Sequence, residues 1–163
     1  MKKIPVPFKS LTVPGVSAIA SFAIVLLAFF PLSHAADEPE KIFTDYKVLY
    51  SAFNSSFISP EVAKNYNIIR GKDRGLVNIA VLPHDAKAGT GGKPALVSGY
   101  VKNIIAQQQK LEFFEVNEGS ATYYLAPFQF ENEDFMTFKI QVQPDPNKPA
   151  DEISFQRTFY HNK

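Results

Sequence analysis

Met136-Thr-Phe-Lys-Ile-Gln-Val-Gln143 alternates without a slip: Met136, Phe138, Ile140 and Val142 are apolar, while Thr137, Lys139, Gln141 and Gln143 are polar. Side chains on a strand alternate between faces, so this octet predicts a β-strand with one face in a core and one in water. Pro144, Pro146 and Pro149 end it, and Ile153–Tyr160 resumes as a strand with Ile153, Phe155 and Phe159 on one side. Upstream, Tyr46–Phe53, Ala95–Ala106, Leu111–Val116 and Ala121–Phe130 are rich in aromatic and branched residues and read as further strands. Leu76–Leu82 is apolar on both faces except at Asn78, as in a strand covered on both sides.

Between the first two of these strands, Asn54-Ser55-Ser56 makes a turn and Ser59-Pro60-Glu61 starts a helix. A serine caps it, a proline stands where its missing N–H costs nothing, and a glutamate faces the positive end of the helix dipole. The helix is expected over about Pro60–Tyr66. Asn117-Glu118-Gly119-Ser120 reads as a turn in which Gly119 takes positive φ. About seven strands at short spacing with one short helix predict an all-β fold, an antiparallel β-sandwich of immunoglobulin-like type. A barrel uses the same pattern.

The N-terminal fifth has a different character. Lys2, Lys3 and Lys9 precede an apolar run from Val16 to Leu32, and Ser33-His34-Ala35 supplies small residues for a signal peptidase. Residues 1–35 are therefore expected to be a cleaved export signal, 36–41 a flexible polar leader, and 42–163 a single domain. No cysteine follows the cut, which excludes a lipid-anchored lipoprotein, and no stable membrane insertion is expected after cleavage. The same absence removes thiol nucleophiles, cysteine metal sites and disulfides, so the domain depends on packing alone. The 11 Phe and 7 Tyr beyond residue 35 supply the material for it.

Of 17 Lys and Arg in the whole chain, three lie in the leader, leaving 14 against 16 Asp and Glu. That slight negative balance argues against nucleic acid as a partner. Catalytic residues are not evident. His84 follows a strand and precedes Asp85 in a polar loop without a nucleophile elbow, and His161 reads as a solvated tail residue. Glu131, Glu133 and Asp134 lack the glycine and ligand count of a calcium loop and read as a solvated hairpin turn. Gly89-Thr90-Gly91-Gly92-Lys93 fails as a phosphate loop, because Lys87 stands at the first glycine position and Pro94 replaces the Ser or Thr. No metal and no cofactor are expected.

The remaining candidates for a ligand or partner site are Arg70, Lys72 and Arg74, flanked by Gly71 and Gly75, together with Asn78. Arginine's planar fork suits a carboxylate or phosphate. The competing reading is structural, with the arginines pairing to local acids and Asn78 bonding a neighbouring backbone group.

The string from Tyr50 to Val81, with LEFFEV at 111–116 and ATYYLAPF at 121–128, resembles an uncharacterised family of exported Gram-negative bacterial proteins, a domain of unknown function. Phe53-Asn54, Pro60, Ala63, Tyr66, Arg70, Arg74-Gly75 and Asn78 carry the resemblance. It implies a periplasmic β-sandwich and transfers no activity. Two functions are compatible with these observations. One is a non-catalytic periplasmic adaptor that recruits an envelope protein or peptide through a loop surface or free strand edge. The other is a binding protein or hydrolase for a small envelope anion, with Arg70 and Arg74 holding the anion and His84 as base.

Overall fold

The computed structural model describes residues 39–86, 92–119 and 121–162. The expected signal, most of the leader, and residues 87–91 of the glycine-rich loop lie outside the described residues. Nine strands form two antiparallel sheets. They are β1 (Glu40–Ile42), β2 (Lys47–Asn54), β3 (Arg74–Leu82), β4 (Leu96–Lys102), β5 (Gln108–Leu111), β6 (Phe114–Glu118), β7 (Ala121–Gln129), β8 (Asp134–Gln143) and β9 (Asp151–Phe159). One sheet has the order β1-β2-β3-β7-β6 and the other β5-β4-β8-β9. Successive strand pairs thus alternate between the layers of a β-sandwich.

The alternating octet Met136–Gln143 lies in β8. Met136, Phe138, Ile140 and Val142 are buried, while Thr137, Lys139, Gln141 and Gln143 lie on the other face. Across the layer gap they meet Val77, Ile79 and Val81 of β3 and Ala126 and Phe128 of β7. A second apolar cluster lies on the outer face of the five-stranded sheet. There helix α1 (Pro60–Asn65) and Ile68 cover Leu76, Val116 and Leu125. The serine cap forms as expected, with Val62 N–H donating to Ser59 Oγ at 3.2 Å.

Three expectations change. Glu40 and Lys41, read as leader, belong to β1, which pairs through its backbone with Lys47–Leu49. The segment Leu111–Val116 is two strands in different sheets, because the chain crosses between layers at Glu112 and Phe113. Ala95–Ala106 ends as a strand at Lys102, after which Asn103 folds the chain back. Its backbone N–H donates to Gln107 O and its side-chain oxygen accepts from Gln107 N–H at 2.9 Å. This is the local side-chain competition with sheet bonding that makes asparagine a turn residue. Gly119 has φ of 64°, as its turn requires.

The two layers are laced along one flank, where β2 and β9 run side by side. Tyr46 OH donates to Asp151 Oδ2 at 2.6 Å, the Tyr50 and Phe155 rings lie 4.9 Å apart, and Asn54 Nδ2 donates to Tyr160 O at 2.8 Å. Asn54 is buried and also reaches Asn162 Oδ1 at 3.3 Å, while Asn162 in turn donates to Ser56 Oγ. Asn54→Ala removes the bonds to the Tyr160 carbonyl and Asn162 and is expected to cost about 2 kcal/mol in urea unfolding. A loss below about 0.5 kcal/mol would show that the C-terminal segment is held by other contacts.

Candidate functional site

The sandwich has two unlike ends. At one, the connections Phe43–Tyr46 and Pro144–Ala150 enclose a cleft of about 700 Å³ that also takes in Lys93. Phe43 stacks on Tyr46 with ring centroids 5.1 Å apart, and Lys148 Nζ bridges to Asp45 Oδ2 at 2.5 Å across the mouth. His84, at the rim, sets Nε2 2.8 Å from Thr44 O, which accepts the bond, so Nε2 carries the hydrogen. Three groups in the cleft titrate further from neutral pH than is ordinary for them. The hydrogen bond from Lys148 holds the Asp45 carboxyl below its ordinary value, and the same bond raises the Lys148 amine. Burial and then the Asp151 carboxylate raise the Tyr46 phenol. At neutral pH Asp45 and Lys148 stay charged and Tyr46 stays protonated, so all three are poorly placed to exchange protons with a substrate.

Burial also raises the phenols of Tyr66 and Tyr124, reinforced by Glu118 and Glu115 respectively. All three tyrosines bind their proton more tightly folded than unfolded. The stability this contributes is complete below the unfolded value of about 10 and is lost as pH rises through the folded values. The melting temperature is expected to fall once pH passes about 10, and to fall less steeply in Tyr46→Phe. An equal slope in the variant would remove Tyr46 as a contributor.

At the opposite end lie the predicted basic residues. Arg70 Nη2 donates to Ser56 O at 3.0 Å, while Gly71 N–H donates to Ser55 Oγ at 3.1 Å. The loop is thereby tied to the 3-10 turn Ser55–Phe57. Arg74 opens β3 with Nε 3.9 Å from Asp73 Oδ1, and Lys72 is exposed. Asn78 stands apart, four residues along β3 and about 13 Å from Arg74. It faces Ser51 and Leu125 in register, and its Oδ1 is buried without a hydrogen-bond partner, contrary to the backbone bond expected of it. The four predicted residues therefore do not converge on one point.

Two further readings can be placed. Glu131 and Glu133 are exposed in the turn between β7 and β8, which joins the two sheets and is not a hairpin. Among the described residues no three His, Cys, Asp or Glu side chains are grouped to hold a metal. His161 is half-buried, its ring 5.9 Å from that of Phe130, and does not lie in a solvated tail.

Apolar exposure at this end has no counterpart in the sequence pattern. Eight large hydrophobic side chains are exposed among the described residues, and six of them, Phe57, Ile69, Ile104, Ile105, Phe135 and Tyr160, lie here. The topology requires it, since β2, β4 and β9 end at this pole while β3, β5 and β8 begin there. Only Ile42 and Leu96 are exposed toward the cleft end. Apolar periodicity cannot reveal such a surface, because it assigns Ile104 and Ile105 to a buried strand.

The fold is thus an all-β sandwich with a cleft at one pole and apolar connections at the other. The chain belongs to the DUF4426 family, a domain of unknown function, whose family model matches residues 40–162. It is similar to the crystal structure of a DUF4426 family protein from Pseudomonas aeruginosa PAO1, at 30% identity and a TM-score of 0.67, over 77% of this chain and 97% of that one. It also matches FetP from uropathogenic Escherichia coli strain F11, solved as isolated after recombinant expression in the periplasm, at 9% identity and a TM-score of 0.51. That match covers 77% of this chain and 95% of FetP. A copper-bound variant of FetP matches at the same identity and score, over 76% of this chain and 95% of that one. At such identity the likeness to FetP shows the fold alone. Comparison with curated proteins finds no match. No helix among the described residues is long and apolar enough to cross a membrane.

Proposed function

We propose that this domain is a non-catalytic interaction module of the bacterial periplasm, docking to another component of the envelope through the pole that carries Phe57, Ile69, Ile104, Ile105 and Tyr160. The observation that carries this reading is the gathering of six of eight exposed large hydrophobics at one end. Single exposed apolar residues are ordinary on protein surfaces, whereas their concentration marks an interaction site. The export signal read at residues 1–35 supports the compartment.

A free strand edge is the weaker route. The longest edge, β9, carries Arg157 at the core-facing position opposite Met136, with its guanidinium 5.6 Å from the Phe159 ring centre. Arg157 is itself exposed, and a charged side chain on an edge strand discourages pairing with a second chain. A small anion held by Arg70 and Arg74 also draws less support, since Arg70 is committed to the Ser56 carbonyl and Arg74 lies beside Asp73.

A photoreactive amino acid placed in cells at position 105, and separately at position 42, tests the proposal. Adducts are expected from 105 and not from 42. Equal labelling from both positions, or none from 105, would overturn the assignment of the pole.

A further inference from the structure

Lys93 and Asp151 stand unpaired in the cleft at the other pole. Asp45 and Lys148 neutralise each other across its mouth, and Asp145 is turned into its own loop, accepting from Asn147 N–H at 2.9 Å and Asn147 Nδ2 at 3.1 Å. Lys93 and Asp151, both half-buried, line the same space, and neither makes an ion pair among the described residues. Asp151 accepts the neutral Tyr46 hydroxyl, and Lys93 acts on Asp45 at longer range without bridging to it. A charge taken partly out of water without an opposite charge beside it costs free energy, and two of opposite sign in one cleft attract each other strongly enough to pair where they can meet.

The elements that carry them keep them apart. Lys93 is anchored to the five-stranded sheet, its backbone N–H donating to Val81 O of β3 at 2.7 Å. The chain just before it runs tight against β7, where a Cβ on Gly92 would lie 2.6 Å from Thr122 N. Asp151 opens β9 of the other sheet, opposite Val142 in register, and is braced by the Tyr46 hydroxyl. The two charges are therefore attached to opposite layers, whose backbones lie roughly 10 Å apart in a packed sandwich. The cleft that both of them line, of about 700 Å³, has the size of a small-ligand site, and Phe43, Pro144 and Pro149 add apolar lining.

We propose that this cleft is a second binding site, for a short peptide with free termini, whose carboxylate pairs with Lys93 and whose ammonium group pairs with Asp151. An extended tripeptide reaches about 10 Å, the spacing of the layers, whereas a single amino acid covers about a third of it. A ligand carrying only negative charge would set like charge against Asp151, and one carrying only positive charge would do the same to Lys93, so the two signs of the ligand follow from the two signs of the cleft. Both protein charges are held in place before the ligand arrives, Lys93 by its backbone bond to β3 and Asp151 by strand pairing and Tyr46, which lowers the ordering cost of binding.

The test is isothermal titration calorimetry of the chain from residue 36 onward with trialanine, with N-acetyl-trialanine, which lacks the ammonium group, and with trialanine amide, which lacks the carboxylate. Trialanine is expected to bind saturably at millimolar concentration or below, and each blocked peptide about tenfold more weakly. Lys93→Met should bind trialanine and its amide alike, and Asp151→Asn should bind trialanine and its acetyl form alike, because each variant has lost the charge that reads the blocked end. The comparison of the three peptides on the wild-type chain needs no variant, so a folding defect in Asp151→Asn leaves it decisive. No binding of trialanine, or equal binding of all three peptides to wild type, would overturn the site. Alanine binding as tightly as trialanine would overturn the assignment of a peptide that spans the layers. Such a ligand is too small to register as a protein adduct at position 42, so the labelling test of the apolar pole is independent of this one.

Discussion

Replacing Phe138 by Ala is expected to lower the free energy of unfolding by about 4 kcal/mol. Phe138 is fully buried and its ring touches three others. It stacks on Phe155 at 4.7 Å and 10°, and meets Phe128 and Phe159 edge-on at 5.1 and 6.1 Å. The transfer and cavity terms for a truncated core phenylalanine come to roughly 3–5 kcal/mol, and each aromatic pair contributes about 1 kcal/mol beyond its buried area. The rings belong to β7, β8 and β9, so the cavity opens where both sheets meet and cannot be filled by moving one strand. Small domains are stable by only about 5–15 kcal/mol, so the variant should be marginal at body temperature. Urea unfolding of wild type and variant decides it. A loss under about 2 kcal/mol would mean that the cluster collapses around the gap and that the aromatic contacts are less tightly interlocked than their geometry indicates.

That core was the part of the molecule most legible in the chain, for a physical reason. β8 has one dry and one wet face, so its pattern carries the period of a strand. β3 is covered on the second face by α1 and reads as a continuous apolar run broken only at Asn78. Where either condition fails, the reading fails. β1 is three exposed residues, Glu40–Ile42, held by backbone pairing that leaves no mark in side-chain pattern. The switch of sheets at Glu112–Phe113 falls within the run LEFF, where apolar residues follow one another whichever face they serve.

Function was less legible than fold. Arg70, Lys72 and Arg74 stand out in sequence as basic residues interspersed with Gly71 and Gly75, and that loop does lie at the apolar pole. The interactions that define its role involve partners distant in sequence. Asn54 takes its significance from Tyr160 and Asn162, more than a hundred positions away. Ile104 and Ile105 read as strand interior because periodicity treats every apolar residue as buried. Their turn is written in Asn103, whose side chain competes with the sheet for backbone bonds. The cleft depends on Asp45 and Lys148 from two connections and on Asp151 at the start of β9, and no local motif joins them.

Gly75→Ala is expected to cost about 3 kcal/mol, a large effect for adding one methyl group. A Cβ at position 75 would lie 2.2 Å from Phe128 Cζ and within 2.8 Å of two more atoms of the same ring. Gly75 and Phe128 are paired across β3 and β7, both facing the core, and the ring lies over the glycine. It cannot swing clear, because Phe130, Phe138 and Phe159 surround it with centroids at 6.1, 5.1 and 5.1 Å. The Arg74-Gly75 pair therefore has a packing role in its second residue: glycine makes room for the ring at the centre of the aromatic cluster. A double-mutant cycle separates this from a general intolerance of the strand. If the added methyl group acts through the ring, Gly75→Ala in a Phe128→Leu background should cost at least about 1 kcal/mol less than in wild type, a coupling typical of residues in direct contact. Additivity within about 0.5 kcal/mol would locate the cost in the backbone of β3 instead, and would remove steric packing against Phe128 as the reason for glycine at this position.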